Sequence, residues 1–149
     1  MNKSIKGKCF CESVTFSFAL PILFCVHCHC NYCRHAQGSA FVTWVGVDEA
    51  KFSYKTGENL VTWYKSTEES GRGFCSRCGS TMFYKSSLAP GEIHIARPYI
   101  DSSLELKPNA HVFYDQHVNW IAIHDDLQKL DSDNKDLSTY SVIPKKNLF

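Results

Sequence analysis

Three cysteines within six residues, Cys28-His29-Cys30-Asn31-Tyr32-Cys33, offer three thiolates to one soft metal ion and no evident fourth. A tetrahedral ion with three protein ligands keeps a position open for a substrate atom, which marks a catalytic rather than a structural site. In the Cys-x-Cys-x-x-Cys spacing the first two sulfurs share one side of an extended chain. The turn at Asn31-Tyr32 then brings Cys33 back to them, while His29 faces the other way. Four other cysteines read as a closed site. Cys75-Ser76-Arg77-Cys78-Gly79 is a zinc knuckle, because two intervening residues let both sulfurs reach one ion and Gly79 can take the positive φ that turns backbone N–H groups towards them. Cys9 and Cys11, two apart on a strand, complete four sulfurs at about 2.3 Å from a tetrahedral ion. Cys9, Cys11, Cys75 and Cys78 are therefore expected to hold a structural zinc and Cys28, Cys30 and Cys33 a catalytic one, two Zn2+ per chain. The eighth cysteine, Cys25, makes a further Cys-x-x-Cys with Cys28. As a ligand it would close the second site; as part of the apolar run 23–26 it would lie in the core. The spacing leaves both open.

Composition says what kind of molecule carries these thiols. A chain of 149 residues, 44% apolar and 13% aromatic, is expected to fold as one domain with a substantial core. The formal net charge is +1 and no run of Lys or Arg forms a basic stripe, so neither nucleic acid nor an anionic membrane is the expected partner. The longest apolar stretch, 18–26, is interrupted by Pro21 and is about half of what a membrane span needs. The N-terminus lacks the apolar core of a signal peptide. A cytoplasmic protein is expected, and in a reducing compartment eight cysteines point to metal rather than disulfides.

The elements that must position the thiols read as strands. Ser13-Val14-Thr15-Phe16-Ser17-Phe18 and Glu92-Ile93-His94-Ile95 alternate polar with apolar, the period of half-buried strands. The segments 41–47, 51–54, 60–65, 81–85 and 110–114 are short runs rich in β-branched and aromatic residues. Turns are expected at Gly57, Gly71, Pro90-Gly91 and Pro108-Asn109. Helical turns are expected only just after Cys30, over 31–37. The fold class is mainly β: a single domain of antiparallel β-sheets stapled by zinc, with little helix. Residues 1–130 would form this zinc domain and 131–149, rich in Asp, Lys, Ser and Asn, a C-terminal tail that packs as a strap or stays mobile. Arg34, beside Cys33, and Arg77, inside the knuckle, are placed to offset thiolate charge.

With these residues in view, the chain resembles the glutathione-dependent formaldehyde-activating enzymes, whose domain also occurs in centromere protein V. The resemblance runs from about residue 5 to residue 130. It is carried by Gly7-Lys8-Cys9-Phe10-Cys11, Cys28-His29-Cys30-Asn31-Tyr32-Cys33-Arg34, Gly38-Ser39-Ala40-Phe41 to Trp44, Gly73-Phe74-Cys75-Ser76-Arg77-Cys78-Gly79-Ser80, His111-Val112-Phe113 and the segment 120–126. It implies a fold of coiled β-sheets, shared with a Rab GTPase accessory factor. It also implies a structural zinc on Cys9, Cys11, Cys75 and Cys78 and a catalytic zinc on Cys28, Cys30 and Cys33. The implied activity is that of a carbon–sulfur lyase resembling S-(hydroxymethyl)glutathione synthase, adding the sulfur of glutathione or another small thiol, bound at the zinc, to formaldehyde. Three anionic ligands make the ion a poor Lewis acid and leave a coordinated thiolate nucleophilic, which favours thiolate transfer over carbonyl polarisation. The carboxylates of glutathione would want Arg, Lys or backbone N–H groups, with Arg34, Arg72 and Arg97 as candidates. Two alternatives stand beside this: a lyase for a different thiol adduct, and a non-catalytic zinc-stabilised binding module. A fourth ligand from Cys25 would favour the module.

Overall fold

The computed structural model describes residues 3–101 and 106–140. Among the described residues eleven strands form two sheets. In chain order they are β1 (Ser4–Lys8), β2 (Thr15–Ala19), β3 (Phe24–Cys28), β4 (Val42–Asp48), β5 (Phe52–Thr56), β6 (Val61–Lys65), β7 (Ser70–Cys75), β8 (Thr81–Ser86), β9 (Glu92–Ala96), β10 (Ala110–Val112) and β11 (Gln128–Leu130). A three-stranded sheet runs β1-β2-β5, and an eight-stranded sheet runs β11-β10-β3-β4-β9-β8-β7-β6. The one α-helix among the described residues, α1 (Asn31–Gln37), follows β3 directly.

The expected strands and the short helix are present, with ends shifted by a residue or two. Pairing is antiparallel except at one margin of the large sheet, where β10 runs parallel to both β3 and β11. One expected turn is overturned: Gly71 lies inside β7, paired with Lys65 and Lys85. The small residues of β7 serve close approach instead, since a Cβ on Gly73 would stand 3.0 Å from the Trp63 ring. Strands β1, β7 and β11 were not anticipated, because Ser, Gly, Lys and Arg dilute the β-branched and aromatic signal there.

The large sheet separates two apolar clusters. Alternation along its strands sends Cys25, Val45, Val47, Ile93 and Ile95 to the face that packs on Ile5, Phe16 and Phe18 of the small sheet. It sends Phe24, Val26, Cys28, Val42, Trp44 and Ala96 to the other. Phe83 anchors the first cluster, fully buried and in edge contact with Phe16 at 5.2 Å and Phe52 at 5.5 Å between ring centroids. The segment after β11 returns to the second at Leu137, which is buried there, and Ser132 donates from both backbone N and Oγ to Asp115. The rest of the expected tail, 141–149, lies outside the described residues.

Candidate metal centres and substrate cleft

Cys9 and Cys11 are not on a strand as expected: β1 ends at Lys8, Cys9 opens the turn that follows and Cys11 lies within it; Cys75 ends β7 with Cys78 in the following turn. Their sulfurs meet between the two sheets, with Cys9–Cys11 at 3.6 Å and Cys11–Cys75 at 3.9 Å. All four sulfurs lie within 4.8 Å of one another. Four sulfurs at 2.3 Å from a tetrahedral ion stand about 3.8 Å apart, so the spacing fits such an ion. Local donors favour thiolate at Cys78 and Cys11, while burial pushes the Cys9 thiol up to about 11. Against the burial that would raise it, hydrogen bonds from the Ser80 hydroxyl and backbone bring the Cys78 thiol down to about 6. The Ser13 hydroxyl and backbone lower that of Cys11. Gly79 takes φ 77° and its N–H donates to the Cys75 carbonyl at 2.7 Å, closing the knuckle turn.

The second cluster is built by the junction of β3 with α1. Cys28 is the last residue of β3; Cys30 is the helix N-cap, its sulfur accepting from the Cys33 N–H at 3.3 Å; Cys33 is the buried residue of the first turn. Cys28 and Cys33 sulfurs are 3.6 Å apart, again a tetrahedral edge. Hydrogen bonding to Cys30 and Cys33, then burial, raises the Cys28 thiol well above its usual range. Three crowded sulfurs cannot all ionise without a cation among them, and a divalent soft metal is the cation this donor set suits.

Cys25 does not join them. It projects from the opposite face of β3 into the core between the sheets, where burial pushes its thiol up to about 11. Among the described residues the metal-competent groups containing cysteine are the set of four and the set of three.

The groups around Cys33 were only partly legible. Trp44 Nε1 donates to Cys33 Sγ at 3.4 Å, and Arg72 Nη2 donates to it at 3.7 Å. Arg72 is buried, with its guanidinium 5.0 Å from the Tyr84 ring centroid. Burial works against its charge, but the Cys33 sulfur outweighs this and raises the guanidinium's pKa. Its Nη1 has no hydrogen-bond partner among the described residues. Arg34 instead braces the β3–α1 junction, donating from Nε to the His29 carbonyl at 3.1 Å and also bonding Asn31. Arg77 reaches out to Ser13 Oγ, and Arg97 donates to the Leu106 and Ile100 carbonyls. Thiolate charge is thus met by Arg72, which arrives from β7, thirty-nine residues away in sequence. Sequence carries no signal for a contact of that separation.

Arg72 also lines an open cleft of about 480 Å3 with Tyr32, His35 and Ala36 of α1 and Tyr64, Ser66 and Phe74 of the β6–β7 hairpin. His29 points away from the sulfurs, as the alternation requires, and its Nε2 lies 2.8 Å from His111 Nδ1.

Two β-sheets joined through a four-thiol cluster, with a second set of three thiols linked through Arg72 to a cleft, define a β protein whose cysteine clusters are competent for metal. The family model described as glutathione-dependent formaldehyde-activating enzyme matches residues 4–116, and the chain belongs to that family. A Halomonas elongata protein provisionally named a glutathione-dependent formaldehyde-activating enzyme is 25% identical over 126 residues, 80% of each chain. A Rhodobacter sphaeroides protein of known crystal structure superposes with a TM-score of 0.54 at 20% identity, covering 67% of this chain and 91% of its own. That likeness concerns the fold alone. No helix among the described residues is long and apolar enough to cross a membrane.

Proposed function

We propose that the chain is a carbon–sulfur lyase of the glutathione-dependent formaldehyde-activating type, joining a small thiol, glutathione by family, to formaldehyde at Cys28, Cys30 and Cys33. In the same reading Cys9, Cys11, Cys75 and Cys78 hold a purely structural zinc, and residues 1–130 carry the site. The observation that carries the proposal is the set of three buried, converging sulfurs linked through Arg72 to the cleft, with Cys25 turned into the opposite core. A zinc ion on the three sulfurs would supply an open coordination position at which an incoming thiol loses its proton.

The chain's own residues set the stage for the addition. The reaction forms one S–C bond and converts the carbonyl to a C–O single bond, with the thiol proton ending on that oxygen. Trp44 and Arg72 both donate to Cys33 Sγ, which holds that sulfur in place and moderates its charge. Arg72 lines the cleft, and its buried Nη1 has no hydrogen-bond partner among the described residues, so a substrate carboxylate, or the oxygen that gains charge as the carbonyl is attacked, would find a charged donor if it reached that depth. Tyr32, Tyr64 and Phe74 give the cleft flat apolar walls for the body of a peptide-like thiol. The turning of Cys25 into the core favours this reading over a closed, non-catalytic binding module.

Exchange spectroscopy by proton NMR tests the proposal: formaldehyde and glutathione are mixed with and without the protein, and the interconversion rate with the hydroxymethyl adduct is read from saturation transfer. Acceleration that disappears in Cys28→Ser, while the strand signals of circular dichroism persist, supports it. A rate equal to the spontaneous one refutes the activity.

A further inference from the structure

On the face of the large sheet away from Cys28, a second group of donors converges. His27 of β3 and His111 of β10 are register partners in the parallel pair, with ring centroids 4.9 Å apart. Asp125, from the segment leading into β11, places its two carboxylate oxygens 3.0 and 2.9 Å from His111 Nε2. One donor atom from each of the three lies within 4.8 Å of the others. We propose that His27, His111 and Asp125 form a third metal site, which takes a divalent transition-metal ion independently of the cysteine clusters.

The far ring nitrogens carry the argument. His27 Nδ1 is 2.8 Å from Thr43 Oγ1, and His111 Nδ1 is 2.8 Å from His29 Nε2. Each histidine is therefore fixed through Nδ1, leaving Nε2 as the nitrogen available to an ion. This is how metal-ligating histidines are held, their second nitrogen engaged so that tautomer and ring plane are set in advance. Asp125 is fixed as well, one carboxylate oxygen accepting the Leu127 N–H at 3.0 Å. The neutral His111 ring has two tautomers here. Protonated at Nε2 it simply donates to Asp125; protonated at Nδ1 it donates to His29 and faces the carboxylate with a bare nitrogen, an arrangement that requires a cation between them. A bound ion selects the second.

Size and access agree. Donors about 2.1 Å from a tetrahedral ion stand about 3.4 Å apart, so a pair at the 4.8 Å limit of the cluster needs about 1.4 Å of closing. The Asp125 side chain, 39% exposed, is the member able to supply it and the route by which an ion enters. Two imidazoles and one carboxylate suit Zn2+, Co2+, Ni2+ or Cu2+ and leave positions for water.

The test adds Co2+ to zinc-loaded, full-length protein and follows the visible spectrum. The expected result is one equivalent bound with weak d–d bands and without the intense near-ultraviolet bands of thiolate-to-cobalt charge transfer, which report the cysteine clusters. Asp125→Asn should weaken uptake by about tenfold or more, the scale on which supporting groups alone affect metal affinity. Thr43→Val, which leaves all three ligands in place and frees the His27 ring, should weaken it less. Cu2+ in the same position should show nitrogen couplings from two imidazoles by electron paramagnetic resonance. Absence of uptake outside the thiolate sites, or uptake unchanged in Asp125→Asn, overturns the proposal. A fall in melting temperature in that variant with no metal bound by either protein also overturns it, reducing the cluster to a latch between β10 and the segment before β11.

Discussion

The four-sulfur cluster should act as a cross-link, and its contribution can be isolated by comparing two serine substitutions. Cys75 and Cys25 are both buried, 0% and 3% exposed, so either change places a hydroxyl in an apolar surround, a cost of about 1–3 kcal/mol. Only Cys75 is also a ligand candidate, and oxygen is a far poorer ligand than thiolate for a soft ion. Cys11 and Cys75 are 64 residues apart in sequence. Tying a loop of that length removes about 4 kcal/mol of conformational freedom from the unfolded chain at 25 °C in the chain-entropy model. Cys75→Ser should therefore be less stable than Cys25→Ser by about 4 kcal/mol. With a urea m-value of about 2 kcal/mol per molar, the two midpoints should differ by about 2 M. Equilibrium urea unfolding followed by tryptophan fluorescence measures this, with metal content determined on the same samples. If the two midpoints coincide, or if Cys75→Ser keeps the full metal complement, the cross-link reasoning is wrong.

Other outcomes follow from the same geometry. Because burial raises the Cys25 thiol to about 11, the folded state holds that proton more tightly than the unfolded chain; this contribution to stability is complete below about 9 and is lost as pH rises through about 11. Cys25→Ala should flatten that alkaline slope in urea titrations, and Cys25 in the native protein should resist iodoacetamide at pH 8. Phe83→Ala, which empties a site bounded by Phe16, Phe52 and Tyr54, should cost about 3–5 kcal/mol and alter the fluorescence of Trp63, stacked on that ring at 6.3 Å. Arg72→Lys keeps the charge but loses the planar fork, and the NMR exchange assay should show the loss of about one charge-assisted hydrogen bond, about 1.5–3 kcal/mol of rate. An unchanged rate would remove Arg72 from the site.

What was legible in the chain follows from which interactions are local. The Cys-x-Cys-x-x-Cys turn was readable because its sulfurs are gathered by α1 and the end of β3, within six residues. The knuckle at Cys75 and Cys78 was readable for the same reason. Alternation disclosed the strands that face both a core and a less apolar side, and it placed His29 opposite the sulfurs. It could not reach what depends on strand order. Arg72 meets Cys33 because β7 and β8 lie beyond β9 in the sheet, and His27 meets His111 because β10 inserts in parallel beside β3. Such pairings are set by long-range topology and leave no periodic trace. Strand β7 was obscured by Gly71 and Gly73, residues that usually mark turns but here let the Trp63 ring lie on the backbone.

Helix α1 is only seven residues long, yet it supplies Tyr32, His35 and Ala36 to the cleft. Helices of fewer than about 12 residues are marginal in water on their own, so this one depends on what grips it: Cys30 and Cys33 in the first turn, together with the Asn31 N–H on Gln116 and the Gln37 side chain on the Thr81 carbonyl. Were the three thiols to hold an ion as proposed, metal occupancy and cleft shape would be one linked equilibrium. An ion that fixes the sulfurs also completes the wall, and by reciprocity a ligand seated against that wall tightens the hold on the ion. A chain that had lost that ion alone would then keep its β framework but not the completed wall, and would regain the wall without new synthesis once the ion returned.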